Sequence, residues 1–126
     1  MLNQCAVMGF VPTKDTAKAR AFYVDLLELP FVSEDNFALV VSAKGTLIRI
    51  TAAGEFTPAP HTILGWQVPD IAAEVKNLSD KGIIFERFTF LEQDAADIWT
   101  SPDGTRVAWF RDVDGNTLSI SQHLMP

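Results

Sequence analysis

A single cysteine, Cys5, in 126 residues excludes an intrachain disulfide and makes the reducing cytoplasm the default setting. Cations are also scarce. Ten Lys and Arg face sixteen Asp and Glu, and the formal net charge of −6 offers no basic stripe to neutralise phosphates, so nucleic acid is not an expected partner. That acidic balance reads first as a solvated surface. Long apolar runs are missing: charge, Gly or Pro interrupts each within about ten residues, too short to span a bilayer. Met1 to Phe10 has no basic n-region and no cleavage site, so no signal peptide is expected there. What is present is an apolar content of 48%, enough for one ordinary core in one domain.

Taken in order, Gln4 to Thr13 reads as a first strand, in which Cys5 is expected to be a buried structural thiol. Asp15 or Thr13 then caps a helix. From Thr16 to Leu29 the apolar positions Ala19, Phe22, Tyr23, Leu26 and Leu27 recur at helical spacing, and Pro30 stops the run. Phe31 to Ser33, Asn36 to Ala43 and Thr46 to Ala52 are strands. The order begins again after a Pro-bearing linker. His61 to Val68 is a strand, Asp70 caps a helix over Ile71 to Leu78 ended by Lys81-Gly82, and Ile83 to Phe90 is a strand. Thr105 to Asp112 pairs with a closing strand, Thr117 to Ser121, through the turn residues Asp114-Gly115-Asn116.

Setting Val11 to Asp15 over Trp66 to Asp70 gives an internal offset of about 55 residues. The chain is therefore expected to be α+β: two β-α-β-β-β modules forming a curved mixed sheet in a single domain over 1–126. Module one covers about 4–53, the linker 54–60 and module two about 61–123. Some fifteen extra residues are expected around Glu92 to Gly104, counted from the module offset.

Two stretches carry a resemblance. Ala-Phe-Tyr-x-x-Leu-Leu-x-Leu-x-Phe (Ala21 to Phe31) and Phe-Arg-Asp-x-Asp-Gly-Asn (Phe110 to Asn116), within paired modules, resemble the vicinal oxygen chelate superfamily: glyoxalase I, bleomycin-resistance proteins, fosfomycin-resistance enzymes and extradiol dioxygenases. The resemblance implies the fold over essentially the whole chain. It leaves function open, because one fold there hosts isomerases, dioxygenases, transferases and binding proteins.

The metal enzymes of that superfamily hold a divalent ion with His, Gln or Glu on a concave sheet. The resemblance places those positions at Met8, Arg49, Ile63 and Ser119. Ile63 has no donor, Met8 offers a soft thioether, a neutral serine binds weakly, and the Arg49 guanidinium repels a cation. No metal and no other cofactor is expected. His61 and His123 share strand parity with Ile63 and Ser119, so a slipped register could bring two imidazoles inward, though strand-end histidines are more often solvent-exposed. Asp112 to Asn116 opens like a calcium loop, but its Gly is misplaced and His123 stands where a closing Glu belongs, so it reads as hairpin chemistry.

Strand parity lists the expected ligand-binding residues: Met8, Phe10, Arg49, Ile63, Gln67, Ser119 and Ser121, with Trp109 from the pairing strand and, by module equivalence, Phe37 and Leu39. Each apolar member has plain core as its alternative. Arg49 is the sharpest, because an Arg aimed into an apolar surface needs an acidic side chain or an anionic ligand. The expected function is a metal-free small-molecule-binding protein of the glyoxalase/bleomycin-resistance type, sequestering an aromatic drug or metabolite, commonly as a homodimer. The alternative is a lyase, isomerase or dioxygenase using a non-standard site, for which the parity list holds no base. The acidic surface suits a cationic ligand and Arg49 an anionic one.

Overall fold

Asp15 opens the first helix because its side chain accepts a hydrogen bond from the Lys18 N–H (3.2 Å), satisfying one of the helix's orphan donors. That helix, α1 (Thr16–Arg20), passes into a π-helical turn, Ala21–Leu26, in which the Leu27 N–H reaches back to the Phe22 carbonyl. The apolar spacing predicts one continuous helix. The π-helical turn departs from it by closing i→i+5 bonds, which 3.6-residue spacing does not reveal. Tyr23, fully buried, is the anchor of this turn.

The computed structural model describes residues 1–124. The chain divides into two units, Met1–Pro58 and Ala59–Pro126. In the first, β1 (Met8–Thr13), β2 (Phe31–Glu34), β3 (Ala38–Ala43) and β4 (Thr46–Ala52) form a four-stranded mixed sheet in the order β1-β4-β3-β2. β1 runs parallel to β4, and the β2–β3 and β3–β4 pairs are antiparallel. Val11, Leu39, Val41, Ile48 and Ile50 make its buried face, and α1 packs against β3 and β4.

The second unit repeats the plan with β5 (Leu64–Gln67), α2 (Ile71–Asp80), β6 (Trp99–Thr100), β7 (Arg106–Arg111) and β8 (Thr117–Gln122), in the order β5-β8-β7-β6. Asp70 caps α2 through the Ala73 N–H (3.1 Å), and Gly82, at φ +98°, follows its end. Ile71, Val75 and Leu78 give α2 its buried stripe. Ala108, Phe110, Leu118 and Ile120 are buried in this unit, where Phe110 stacks on Trp66 (6.4 Å) and meets Phe85 edge-on (5.5 Å).

Three expectations are corrected. Cys5 is exposed, just before β1, not buried. Ile83 to Phe90 is not a strand: its one backbone bond to the sheet runs from the Glu86 N–H to the Trp109 carbonyl, although Ile83 and Phe85 are buried and Ile84 is exposed, as in a strand. The fourth strand of the second sheet is the two-residue β6. Finally β8 does not end its sheet; it lies between β5 and β7.

Candidate functional site

Residues directly opposite in a ladder point to the same face, so the register of each sheet sorts its side chains. In the second sheet Ser119 lies opposite both Gly65 and Trp109, and Ser121 opposite both Gln67 and Val107. Trp99 on β6 pairs with Val107 and joins the same face. Trp109, Ser119, Ser121 and Gln67 are thus brought together as expected from parity. Ile63 lies just before β5 and donates its N–H to the Thr117 carbonyl (3.0 Å), continuing that register.

This face is built around aromatic rings. Phe88 meets Trp109 edge to face, with centroids 5.4 Å apart and planes at 87°. Trp99 lies 6.1 Å from Trp109 on its other contact, and Phe90 extends the cluster from Phe88 at 5.4 Å. Phe88 and Phe90 escape a parity list because they sit in the irregular segment before β6. Only their aromatic character, close to an insertion, marks them in the sequence. A hollow of about 660 Å³ adjoins, lined in part by Phe90, Glu92, Gln93, Trp99 and Ser101.

Ser119 is nearly buried, yet its hydroxyl makes no hydrogen bond with any described residue. It rests against Gly65, where a Cβ would come within 2.9 Å of Oγ and 3.2 Å of the Ser119 carbonyl oxygen. Ser121 differs, its hydroxyl lying 2.9 Å from Nε2 of His123.

The Gln93 amide is central to what holds the segment bearing these rings. Gln93 Nε2 donates to the Glu86 and Asp97 carbonyls, both at 2.9 Å, while Oε1 accepts the Phe88 N–H at 2.7 Å. Asp94 Oδ1 accepts the Ala96 and Ile98 N–H groups, and Arg87 pairs with Asp97 at 2.8 Å. The rings are therefore positioned by polar groups rather than by a strand ladder.

In the first sheet Phe10 and Val40 lie opposite Arg49, and Met8 and Ser42 lie opposite Leu47. Phe10 is 64% exposed and Met8 41%. Neither is core. Phe37 and Leu39 do not share that face. Leu39 pairs with Ile50 and is fully buried on the opposite side, and Phe37, two residues earlier with the same parity, is 73% exposed outside the strand. The reason is one residue of length: ten positions separate Trp109 from Ser119, nine separate Val40 from Arg49, and a one-residue offset flips every side chain.

The four positions that the resemblance assigns to metal ligands therefore carry Met8 and Arg49 in the first unit and Ile63 and Ser119 in the second. This donor set does not suit a divalent cation: one thioether, one permanent cation, one alkyl group and one neutral hydroxyl. His61 and His123 are exposed, His61 Nδ1 lying 3.2 Å from the Thr62 carbonyl. Among the described residues no group of three or more His, Cys, Asp or Glu could hold an ion, and no helix is long and apolar enough to cross a membrane.

The same architecture recurs in solved structures. A member of the glyoxalase/bleomycin resistance protein/dioxygenase superfamily from Sphaerobacter thermophilus DSM 20745 is similar at a TM-score of 0.74 and 20% identity, over 98% of this chain and 100% of that one. TnmS3, an antibiotic binding protein from Streptomyces sp. CB03234, gives 0.73 and 23% over 98% and 99%. A lactoylglutathione lyase from Agrobacterium tumefaciens gives 0.67 and 14% over 94% and 93%. No curated protein matches the sequence. The sequence profile of one family, however, matches residues 2–120, and with both sheets in place the chain belongs to the glyoxalase/bleomycin resistance protein/dioxygenase superfamily.

Proposed function

We propose that this protein binds a flat aromatic small molecule on the Trp109 face of the second sheet and returns it unchanged, without a metal. The carrying observation is the half-buried Trp109 ring, braced edge-on by Phe88 and flanked by Trp99, beside a Ser119 hydroxyl that has no partner among the described residues. Aromatic walls with a few oriented polar groups are the usual make-up of a small-molecule site. Catalysis of the lyase or isomerase kind needs a base or a Lewis acid against the ligand; the strand positions of the Trp109 face carry hydroxyls and the Gln67 amide, and the exposed His123 imidazole beside them is engaged by the Ser121 hydroxyl. The antibiotic-binding description of TnmS3, a protein of the same fold, supports sequestration over turnover.

Of the residues expected from parity to bind a ligand, Ile63, Gln67, Trp109, Ser119 and Ser121 serve this face, whereas Met8, Phe10 and Arg49 lie on the first sheet and Phe37 and Leu39 fall outside both faces, all within one domain of two modules. The exposed thiol of Cys5 fits the reducing cytoplasm. A homodimer is part of this reading: β1 is an edge strand of its sheet, and a second chain would pair with its free backbone edge.

The test is a titration with neutral polycyclic quinones, followed by tryptophan fluorescence, with mass spectrometry of the recovered compound. Saturable quenching, weakened about tenfold or more in Trp109→Leu, and recovery of intact quinone are expected. A chemically altered quinone, or unchanged affinity in the variant, overturns the reading.

A further inference from the structure

The arginines of this chain are not alike. Arg20 pairs with Glu34 at 3.0 Å, Arg87 with Asp97 at 2.8 Å, Arg106 with Asp94 at 4.0 Å, and Arg111 with Glu86. Arg49, the fifth, makes no hydrogen bond or ion pair with any described residue. It lies in an interior strand, β4, with β1 on one side and β3 on the other, so its side chain rises from the sheet face and not past an edge. Phe10 and Val40 flank it directly, and Met8 and Leu47 lie one step along the same face. Asp35 attracts it through space without a hydrogen bond between them, and the Asp35 Oδ1 accepts the Phe37 and Ala38 N–H groups at 2.8 and 2.9 Å.

A half-buried guanidinium among apolar groups keeps its contact with water but finds no hydrogen-bonding partner among the described residues, so its donors stay available to a ligand. Its five donors form a planar fork that matches a carboxylate in two parallel bonds. The exposed Phe10 ring and the Met8 side chain stand next to it, a surface suited to an aromatic body. We infer that the open face of the first sheet binds an aromatic carboxylate, the anionic group seated on Arg49 and the ring against Phe10 and Met8. The acidic surface works against such a ligand at long range, but that repulsion is screened within about 10 Å at ordinary ionic strength, whereas the pairing at Arg49 acts at contact. This site lies wholly in the first unit and does not depend on what Trp109 binds.

The experiment compares three probes of one shape by calorimetry: 2-naphthoate, 2-naphthamide and 2-naphthylmethylammonium. Naphthoate is expected to bind about tenfold tighter than the amide, and the ammonium weakest. Arg49→Met is expected to erase the naphthoate advantage, leave amide affinity within about twofold, and fold with a melting temperature at or above the wild type, since an unpaired charge has been removed. Arg49→Lys, which keeps the charge without the fork, retains part of the advantage and serves if the Met variant fails to fold. In the wild type, the Arg49 Nε–H resonance shifts with naphthoate. Equal affinities for the three probes, tightest binding of the ammonium, no binding of naphthoate, or naphthoate affinity unchanged in Arg49→Met overturns the inference. So does a face occupied by a second copy, which would show as an altered sedimentation coefficient in Arg49→Met with no naphthoate bound. Trp109→Leu separates the two sites: it is expected to weaken the quinones and leave the Arg49-dependent naphthoate advantage intact.

Discussion

Gly65 owes its place to Ser119. A methyl group there would press on both the Ser119 hydroxyl and its carbonyl oxygen, and a backbone atom inside a parallel ladder cannot step aside as a side-chain tip can. Gly65→Ala is therefore expected to destabilise the protein by about 1–3 kcal/mol, seen in chemical denaturation, while the smaller change Ser119→Ala leaves stability nearly unchanged. A Gly65→Ala protein as stable as the parent would show that β5 and β8 are farther apart than described. Asp35 gives a pH signature. The Phe37 and Ala38 N–H groups, and secondarily Arg49, hold its carboxyl below the ordinary value of 3.8. A group with a lowered folded pKa stabilises above its unfolded value and loses that contribution as pH falls through the folded one. Asp35→Ala should thus lower the melting temperature at pH 7 and have a shrinking effect below about pH 4. A deficit as large at pH 2 as at pH 7 counts against this account.

At the scale of elements, the insertion before β6 replaces a strand ladder with the side chain of Gln93. Gln93→Ala removes three hydrogen bonds at once and strands the Phe88 N–H. Amide exchange over residues 86–98 is expected to accelerate at least about tenfold, with α2 and β8 unaffected. Uniform acceleration across the second unit would mean instead that the segment is part of the global core. How much of this was legible depends on periodicity. The Asp15 and Asp70 caps and the turn at Asp112 to Asn116, where the Asp112 carboxylate binds the Asp114 and Asn116 N–H groups, rest on local chemistry and were readable, whereas the helical run expected to reach Leu29 ends at Leu26, with Glu28 at φ +61° turning the chain before Pro30. The face of Leu39 was not readable, since it hinges on one residue of hairpin length. Nor were the π-helical turn at Ala21–Leu26 and the loop bearing Phe88, because each obeys contacts distant in sequence rather than a repeating pattern. For the candidate site, Trp109 and Ser119 followed from alternation, whereas the isolation of Arg49 emerged only once the other arginines had found their carboxylates.

At the scale of the whole chain, the free backbone edge of β1 calls for a partner strand, and a homodimer provides it under the reading above. Sedimentation velocity at tens of micromolar should show a species of twice the 13.9 kDa chain mass. Phe10→Asp, placing a charge beside that edge, should shift it toward the single-chain mass. A single-chain species in the parent protein removes the dimer from the reading without touching the Trp109 site. The two sheets also differ in how they are held. The first closes its β3–β4 hairpin in two residues, Lys44 and Gly45 at φ +47° and +87°, with every neighbouring position paired. The second leaves a long irregular run and restores it with one glutamine. Where a ladder defines a sheet, each residue is bound to an inward or outward role. Where a side chain takes over the hydrogen bonding, that obligation lifts, and the Phe88 ring meets Trp109 edge-on without a strand register to set it there. The segment from Arg87 to Trp99 thus answers to a few side-chain bonds, from Gln93, Asp94 and Arg87, and each of them can be changed without shifting the register of the strands.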